Sequence, residues 1–341
     1  MKALLVLIGV MGFCVPTAFA ADAAQTGIAQ EAFDLRLSGK VDEAVQRLEA
    51  GLAADSTQAA LFYELSRARL FLMDFKGMQE AVEKAVALAP DSADYHHFAG
   101  QCCAYSLIDA AHHNQQEQIR RFAERAIEEL EAALRCDPDH HEARYTLVQM
   151  TMAMAGDMGW ETKTAEEHAR ILEEKDPVMG ARARASILPA GERAGLWEKV
   201  IREHPDQWNA WYESGAGLID AWSATQDGAP GTADKAMLDR AAVCIDKALE
   251  MNPRRSYILL RLVTAFAMAR DWDRATAITQ RYLTLDPPVA LKAFATARLG
   301  QIKLQSGDSA GGKDLMSKAM EMDPHLWRGF MPPPEEIFTR P

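Results

Sequence analysis

Histidine is the residue type whose spacing in this sequence most strongly suggests chemistry. Six of the nine histidines stand in three adjacent pairs, and two cysteines lie between the first two pairs: His96-His97, His112-His113 and His140-His141, with Cys102 and Cys103. Imidazole and thiolate groups are good ligands for zinc and copper. The residue types therefore raise the hypothesis of a metal site.

The spacing of the pairs argues against one shared metal site. The first two pairs lie at opposite ends of one predicted helix, about 15 residues or ~22 Å apart along its axis. Only His140-His141 would be expected to approach the first pair. We interpret the histidines as surface and groove residues and predict no metal. A metal- or small-ligand-binding protein that uses this His-rich third repeat is kept as the alternative function.

The remaining side chains give no sign of catalysis. The sequence contains no Cys-x-x-Cys-His motif for haem attachment and no His-Glu-x-x-His motif for a metalloprotease. Met152, Met154 and Met158 form a cluster that suits a soft metal or a hydrophobic peptide. A helix core is the favoured interpretation of this cluster. We predict that the protein is not an enzyme and needs no cofactor.

The N-terminus has the pattern of a cleaved signal peptide. An apolar run follows Lys2, Pro16 breaks it, and Ala18-Phe19-Ala20 has the small-x-small form of a cleavage site. The run is shorter than the roughly 20 apolar residues that span a bilayer. We expect residues 1–20 to be removed, a periplasmic or secreted location, and no membrane span in the mature chain.

Composition favours helices and a protein partner. The formal net charge is −12, and an acidic chain repels the phosphates of nucleic acid. Leucine and alanine are plentiful, β-branched residues are sparse, and no long stretch alternates polar with apolar residues, which disfavours a sheet. We therefore predict an all-α protein that binds a protein or peptide and no nucleic acid.

Repeated proline signals divide the chain into units. Helical segments close at seven prolines, and the interval from Pro253 to Pro287 is 34 residues, which is typical of helix-pair repeats. These prolines are Pro90, Pro138, Pro177, Pro205, Pro253, Pro287 and Pro324. Gly100 and Gly215 fall where the two helices of a pair must cross closely. About seven such pairs account for the chain, because one pair cannot bury its apolar stripe alone.

The repeats form two predicted halves. The N-terminal half covers residues 21–177, and the C-terminal half covers residues 206–324. Between them, residues 178–205 hold two short predicted helices, 179–187 and 193–203, and read as an irregular joint. The final segment, residues 325–341, is a Pro-rich tail with Pro332-Pro333-Pro334 and is expected to be extended.

These residues resemble the tetratricopeptide repeat (TPR) superfamily. In the third pair, Gly100 and Cys103 stand at the glycine and tyrosine positions of the first helix, and in a later pair Trp211, Gly215 and Leu218 take the tryptophan, glycine and tyrosine positions. Residues 95–187 also resemble a group of exported bacterial TPR proteins. The resemblance implies a right-handed superhelical solenoid and a periplasmic interaction module, and it brings no catalytic residues.

The TPR register predicts a groove on the concave face of the N-terminal half. The residue after the tryptophan position, and the residue four further on, face that side in a TPR pair. Three successive pairs place there Tyr63 and Arg67, His97 and Gln101, and Tyr145 and Gln149. Aromatic rings give contact area, and the amides and guanidinium pair with an extended backbone or a carboxylate. The matching C-terminal positions, Leu260 and Thr264, offer fewer polar contacts.

Overall fold

The computed structural model describes residues 25–159, 161–224 and 235–326, and all regular structure in them is helical. The predicted signal peptide (1–20), Trp160 and tail residues 327–341 lie outside the described residues. Helices α1 to α8 are Gln25–Leu37, Val41–Ala54, Ala59–Phe71, Phe75–Leu88, Ala93–His112, Gln116–Cys136, His141–Met158 and Lys163–Lys175. Helices α9 to α16 are Pro177–Ile187, Ala190–Glu203, Trp208–Ala224, Ala236–Met251, Ile258–Met268, Trp272–Thr284, Val289–Ser306 and Ser309–Met322. A 3-10 turn, Pro253–Arg255, precedes α13.

Consecutive helices pair through one type of tight turn. In five pairs the turn contains a residue with positive φ: Gly39, Met73, Asn114, Arg270 and Gly307. The backbone N–H that follows each one reaches back five residues, as in Asp74 N to Arg69 O at 2.9 Å and Asp308 N to Lys303 O at 2.8 Å. This bond satisfies a carbonyl at the helix end that would otherwise lack a partner. In these five pairs the first helix therefore folds directly back onto its second helix.

A glycine marks the closest approach of the two helices in several pairs, as the sequence predicted. A Cβ on Gly100 of α5 would lie 2.8 Å from Leu130 Cγ of α6, and one on Gly215 of α11 would lie 2.7 Å from Ile245 Cγ1 of α12. Both facing side chains are fully buried and have little room to move. These positions exclude any side chain larger than hydrogen.

A second shared contact ties three first helices to the prolines that close the preceding repeats. His96 Nε2 lies 2.9 Å from the Pro90 carbonyl, and Arg144 Nη2 donates to the Pro138 carbonyl at 2.5 Å. Trp211 Nε1 donates to the Pro205 carbonyl at 2.8 Å. The three donors occupy the same repeat position, six residues after their prolines. Three different side-chain types thus donate to the proline carbonyl at the same repeat position. This carbonyl needs a partner because the chain cannot continue as a helix there.

The chain divides into two compact units. Unit 1 reaches to Leu172 and unit 2 begins at Glu173 and includes the described residues to Leu326. The boundary falls within α8, a few residues before the limit predicted at 177. The core of unit 1 contains residues such as Leu48, Leu61, Met78 and Leu130, which are fully buried.

The predicted joint folds into two helices, α9 and α10, which begin at Pro177 and Ala190, slightly before the predicted starts. Asp176 caps α9 by accepting from Val178 N and Met179 N. Apart from these two helices, the described residues form fourteen α-helices, which agrees with the predicted stack of about seven helix pairs. The role of 178–205 as a joint between halves stays a prediction. None of the described helices is both long enough and apolar enough to cross a bilayer.

The glycine constraint predicts opposite effects for two substitutions in unit 2. Gly215→Ala should destabilise the unit by about 1–3 kcal/mol, because its Cβ meets the buried Ile245 side chain and the Ala241 carbonyl oxygen. Gly195→Ala in α10 has no atom within 4 Å of the new Cβ and should be neutral or stabilising by up to about 1 kcal/mol. Denaturant titrations of the two variants give the comparison. Equal effects would refute close crossing as the reason for Gly215.

Candidate functional site

The six predicted groove residues lie on the first helices of three successive pairs, α3, α5 and α7. We call them the inner stripe: Tyr63, Arg67, His97, Gln101, Tyr145 and Gln149. All six are buried, with exposed fractions between 1% for Arg67 and 7% for Tyr63 and His97. The sequence-based prediction of a groove did not include this burial. The role of the stripe in binding a partner stays a prediction.

A buried ion cluster lies at one end of the inner stripe. Glu64 of α3 accepts from Arg36 Nε of α1 at 2.8 Å and from Arg67 Nη1 at 3.2 Å. All three side chains are at most 1% exposed. Burial lowers the pKa of Arg36 to about 10, against the opposing effect of the Glu64 carboxylate. Glu64 therefore lies between two guanidinium groups from different helices.

Aromatic rings extend from this cluster towards α5. The Tyr63 ring stacks on Tyr95 with centroids 5.0 Å apart and meets the Phe98 ring edge-on at 4.9 Å. The Arg67 guanidinium lies 5.5 Å from the Tyr63 ring centroid, close enough for a cation–π contact. Burial raises the pKa of Tyr63, so its phenol stays protonated at neutral pH. The rings join α3 to α5 with an apolar layer beside a positive charge.

Histidines join α5 to α7. Thr146 Oγ1 donates its one hydrogen to the Glu142 carbonyl at 2.9 Å, so His97 Nε2, 3.1 Å away, must donate to that oxygen. Burial, with a smaller effect of His140, lowers the pKa of His97 well below its usual value and keeps the ring neutral. His140 caps α7 by accepting from Ala143 N, and its Nε2 lies 3.1 Å from an Asp94 oxygen.

The structure brings His97 and His140 together but not the other pairs. Their ring centroids are 4.9 Å apart, as spacing predicted for these two pairs. His96 Nδ1 lies 2.7 Å from the Glu129 carboxylate, and His113 Nδ1 lies 2.9 Å from the Asp109 carbonyl. Within residues 25–159, 161–224 and 235–326, no three His, Cys, Asp or Glu side chains are placed to hold a metal ion. The alternative of a metal site in the third repeat receives no support.

Most of the cysteine side chains, and that of Met154, are buried in the core. Cys102, Cys103 and Cys244 are buried, whereas Cys136 is exposed. Burial raises the pKa of Cys103 to about 12 and that of Cys244 to about 11. Met154 is 1% exposed within the core of unit 1, which confirms the core interpretation for this residue. The Met158 side chain lies outside the described residues.

Solved structures are similar to this arrangement of helix pairs. Yeast Tom70, itself a TPR protein, aligns with a TM-score of 0.53 and 16% identity over 94% of this chain, which spans 65% of the Tom70 chain. A TPR protein from Parabacteroides merdae aligns with a TM-score of 0.41 and 11% identity, covering 93% of this chain and all of that one. A thermophilic TPR protein from Thermus thermophilus has a TM-score of 0.34 and 18% identity, with 61% and 87% covered.

This chain has the TPR fold. No protein-family model matches its sequence, and no curated protein matches it significantly. The repeat was therefore recognisable from the spacing of glycines and prolines and from the fold, and not from overall sequence similarity. In the TPR fold the first helices of successive pairs lie side by side, which explains how residues far apart in sequence form the inner stripe.

The first helices of unit 2 are joined by ion pairs as well. Arg182 Nε of α9 lies 2.9 Å from a Glu213 oxygen of α11, and Arg261 of α13 pairs with Asp220 of α11. Thr264 donates its hydroxyl to the Leu260 carbonyl of its own helix at 3.0 Å. Ion pairs therefore join first helices in both units, and the poorer polar surface expected at Leu260 and Thr264 stays a prediction.

One segment that the sequence interpretation overlooked matches the residue pattern of two enzyme motifs. Residues 307–313 read GDSAGGK, which contains Gly-x-Ser-x-Gly and most of a phosphate-binding loop. Both motifs act at a turn between a strand and a helix. Here the string is the left-handed turn between α15 and α16, and Asp308 caps α16 by accepting from Gly311 N at 2.9 Å. The structural context of either motif is not met.

The buried cluster predicts that Glu64 is essential to unit 1. Glu64→Gln removes the carboxylate that separates Arg36 from Arg67 and should destabilise the unit by about 3 kcal/mol or more. Glu31→Gln is the matched control, because Glu31 pairs with Arg47 at 2.6 Å where both side chains are about half exposed. That change should cost about 1 kcal/mol or less. Denaturant titration measures both, and similar losses would contradict a special role for Glu64.

Thiol burial predicts selective alkylation. Iodoacetamide reacts with thiolates, so at pH 8 the native protein should be modified at Cys136, and Cys102, Cys103 and Cys244 should stay unmodified because they are buried. In denaturant all four should react at similar rates. Peptide mass spectrometry after a timed reaction identifies which cysteines are alkylated. Rapid native modification of Cys103 would show that α5 is more accessible than the structure indicates.

Proposed function

We propose that this protein is an exported interaction module whose inner stripe binds a segment of a partner protein. The observation that carries the proposal is the inner stripe itself. Three consecutive first helices carry a buried guanidinium, two buried tyrosines and two buried side-chain amides at matching repeat positions. Side-chain types of this mixture suit recognition of a chain segment more than they suit catalysis.

The stripe indicates what the partner segment must offer. Gln101 and Gln149 can each accept and donate hydrogen bonds, which suits an extended backbone whose groups are not used in a helix. The guanidinium of Arg67 suits a carboxylate on the partner segment. Tyr63 and Tyr145 offer apolar ring surface for a neighbouring side chain. An extended acidic segment with an apolar residue meets all three requirements.

Export and the nature of the partner rest on sequence. The Ala18-Phe19-Ala20 site supports cleavage before Ala21 and a periplasmic or secreted location, and N-terminal sequencing of the cellular protein would test it. The net charge of −12 supports a protein partner over nucleic acid. Arrangement of partners on a scaffold requires no catalytic group, and we assign none.

The test variant removes polar groups from the inner stripe but keeps the volume of each substituted side chain nearly unchanged. Because the stripe is buried, alanine would open cavities, so we choose Gln101→Met, Gln149→Met and Tyr145→Phe. The triple variant should fold, and the amount of each specific partner that it captures should fall ~10-fold or more. The reason is that the variant lacks the hydrogen bonds that orient the segment. Cross-linking in the native cell, followed by identification of captured proteins, gives the measurement.

The matched control makes equivalent changes in unit 2. Tyr212→Phe and Gln301→Met alter the same repeat positions on α11 and α15. This control should capture the same partners as the parent, and circular dichroism checks that both variants are folded. Undiminished capture by the folded triple variant would show that the inner stripe is not the binding face.

A further inference from the structure

Two histidines that hold the start of α7 must be neutral. His140 caps the helix, and its Nδ1 lies 3.1 Å from the Ala143 backbone nitrogen. His168 of α8 has its Nδ1 2.9 Å from Arg144 Nη1. A backbone N–H and a guanidinium can only donate hydrogen bonds, so each Nδ1 must accept and carries no hydrogen. In both rings the one hydrogen on nitrogen is therefore on Nε2.

His97 is a third histidine at this place, and it reaches α7 from α5. Its Nε2 donates to Thr146 Oγ1 at 3.1 Å, and its ring meets the His140 ring edge-on with centroids 4.9 Å apart. His97 is only 7% exposed, so a second hydrogen would place a charge where water is largely excluded. We call His97, His140 and His168 the histidine clamp of α7.

The charged groups around the clamp determine what an added proton does. Arg144 faces His168 from α7, and Glu167 adjoins His168 on α8. Asp94 of α5 lies 3.1 Å from His140 Nε2. A hydrogen on His168 Nδ1 would point at a guanidinium, and one on His140 Nδ1 would point at the backbone N–H that this atom now caps. Asp94 would attract a cation on His140, but the cap would still be lost.

The pKa shifts agree with these contacts. Burial, with a smaller effect of His140, lowers the pKa of His97 well below its usual value. Burial and then the Arg144 charge lower the pKa of His168, against the opposing effect of Glu167. A histidine whose pKa is lower in the folded protein binds a proton more readily in the unfolded chain. Its contribution to stability is therefore complete above about pH 6.5 and falls as the pH drops below that value.

We propose that mild acid releases the start of α7 by protonating the histidine clamp, and that this release regulates the inner stripe. Tyr145 stands between two of the held residues, Arg144 and Thr146, and Gln149 follows one turn later. Release of this segment moves both stripe residues of α7 away from those of α5. The effect on a partner rests on the proposed function, whereas the acid-sensitive contact does not.

The test replaces two histidines with amides that keep the hydrogen bonds but cannot be protonated near neutral pH. In His97→Gln the side-chain nitrogen can still donate to Thr146, and in His168→Asn the side-chain oxygen can still accept from Arg144. Hydrogen exchange with mass spectrometry, corrected for the effect of pH on exchange itself, measures how often the backbone of residues 141–150 opens.

The opening constant of this segment should rise in acid in the parent protein. Between pH 7.5 and 5.0 the rise should reach up to ~30-fold for each histidine that stays neutral while folded. The double variant should show a rise at least ~10-fold smaller. His112→Gln is the matched control, because it removes an exposed histidine from α5, and it should behave as the parent does. Equal rises in the parent and the double variant, or no rise in either, would overturn the proposal.

A second measurement does not depend on the variants. Nitrogen NMR of the histidine rings in the parent protein distinguishes a ring with hydrogen on one nitrogen from a ring with hydrogen on both. At pH 6.0, where an ordinary histidine is mostly protonated, the folded protein should show His97 and His168 neutral. A doubly protonated His168 in the folded protein at this pH would contradict the clamp.

Partner capture separates the regulation from the proposed function. Each protein is compared with its own capture at pH 7.5, and capture at pH 5.0 should fall more for the parent than for the double variant. Capture by the parent that does not change with pH would overturn the regulation. The proposed function would still stand if the Gln101, Gln149 and Tyr145 variant loses its partners at pH 7.5, and it would fail if that variant keeps them.

Discussion

The close crossing of the two helices within a pair is the constraint on which the rest of the structure depends. Where Gly100 faces Leu130, and Gly215 faces Ile245, a single hydrogen replaces a side chain and the helix axes approach. Close crossing fixes how far each first helix is rotated about its own axis. That rotation decides which residues face the second helix and which face inward. The inner stripe is a row only because successive pairs repeat the same rotation.

Neighbouring first helices are then held together by buried charges as well as by apolar contacts. Arg36 and Glu64 join α1 to α3, and Arg182 and Glu213 join α9 to α11. A buried ion pair adds little net stability, because loss of hydration offsets most of the attraction. Each pair nevertheless penalises any shift in register that would leave one charge alone. The charges thus specify how first helices align more than they increase the stability of the stack.

Sequence spacing predicted the repeat but not what surrounds its inner face. The glycine and proline positions identified the pairs because each reflects a local steric rule that is visible within a few residues. Met73 and Arg270 adopt positive φ in tight turns, which no side-chain preference signals for these residue types. The Arg36–Glu64 contact joins residues 28 apart. The burial of Tyr63 depends on contacts with Tyr95 and Phe98 of another helix, so local pattern could not reveal it.

The burial of the inner stripe changes how affinity for a partner must be understood. A binding face that is covered most of the time lowers the apparent affinity by the fraction of molecules in which it is open. If that fraction is about 1%, the cost is roughly 100-fold, or about 2.7 kcal/mol. On the proposed function, a partner must recover this free energy by binding the groups of the inner stripe better than their present contacts do. Interactions between charges strengthen as water is excluded, so a partner carboxylate that reaches Arg67 would contribute most. The position of carboxylates along a partner segment would then decide selectivity, whereas the tyrosine rings and amides would accept many sequences.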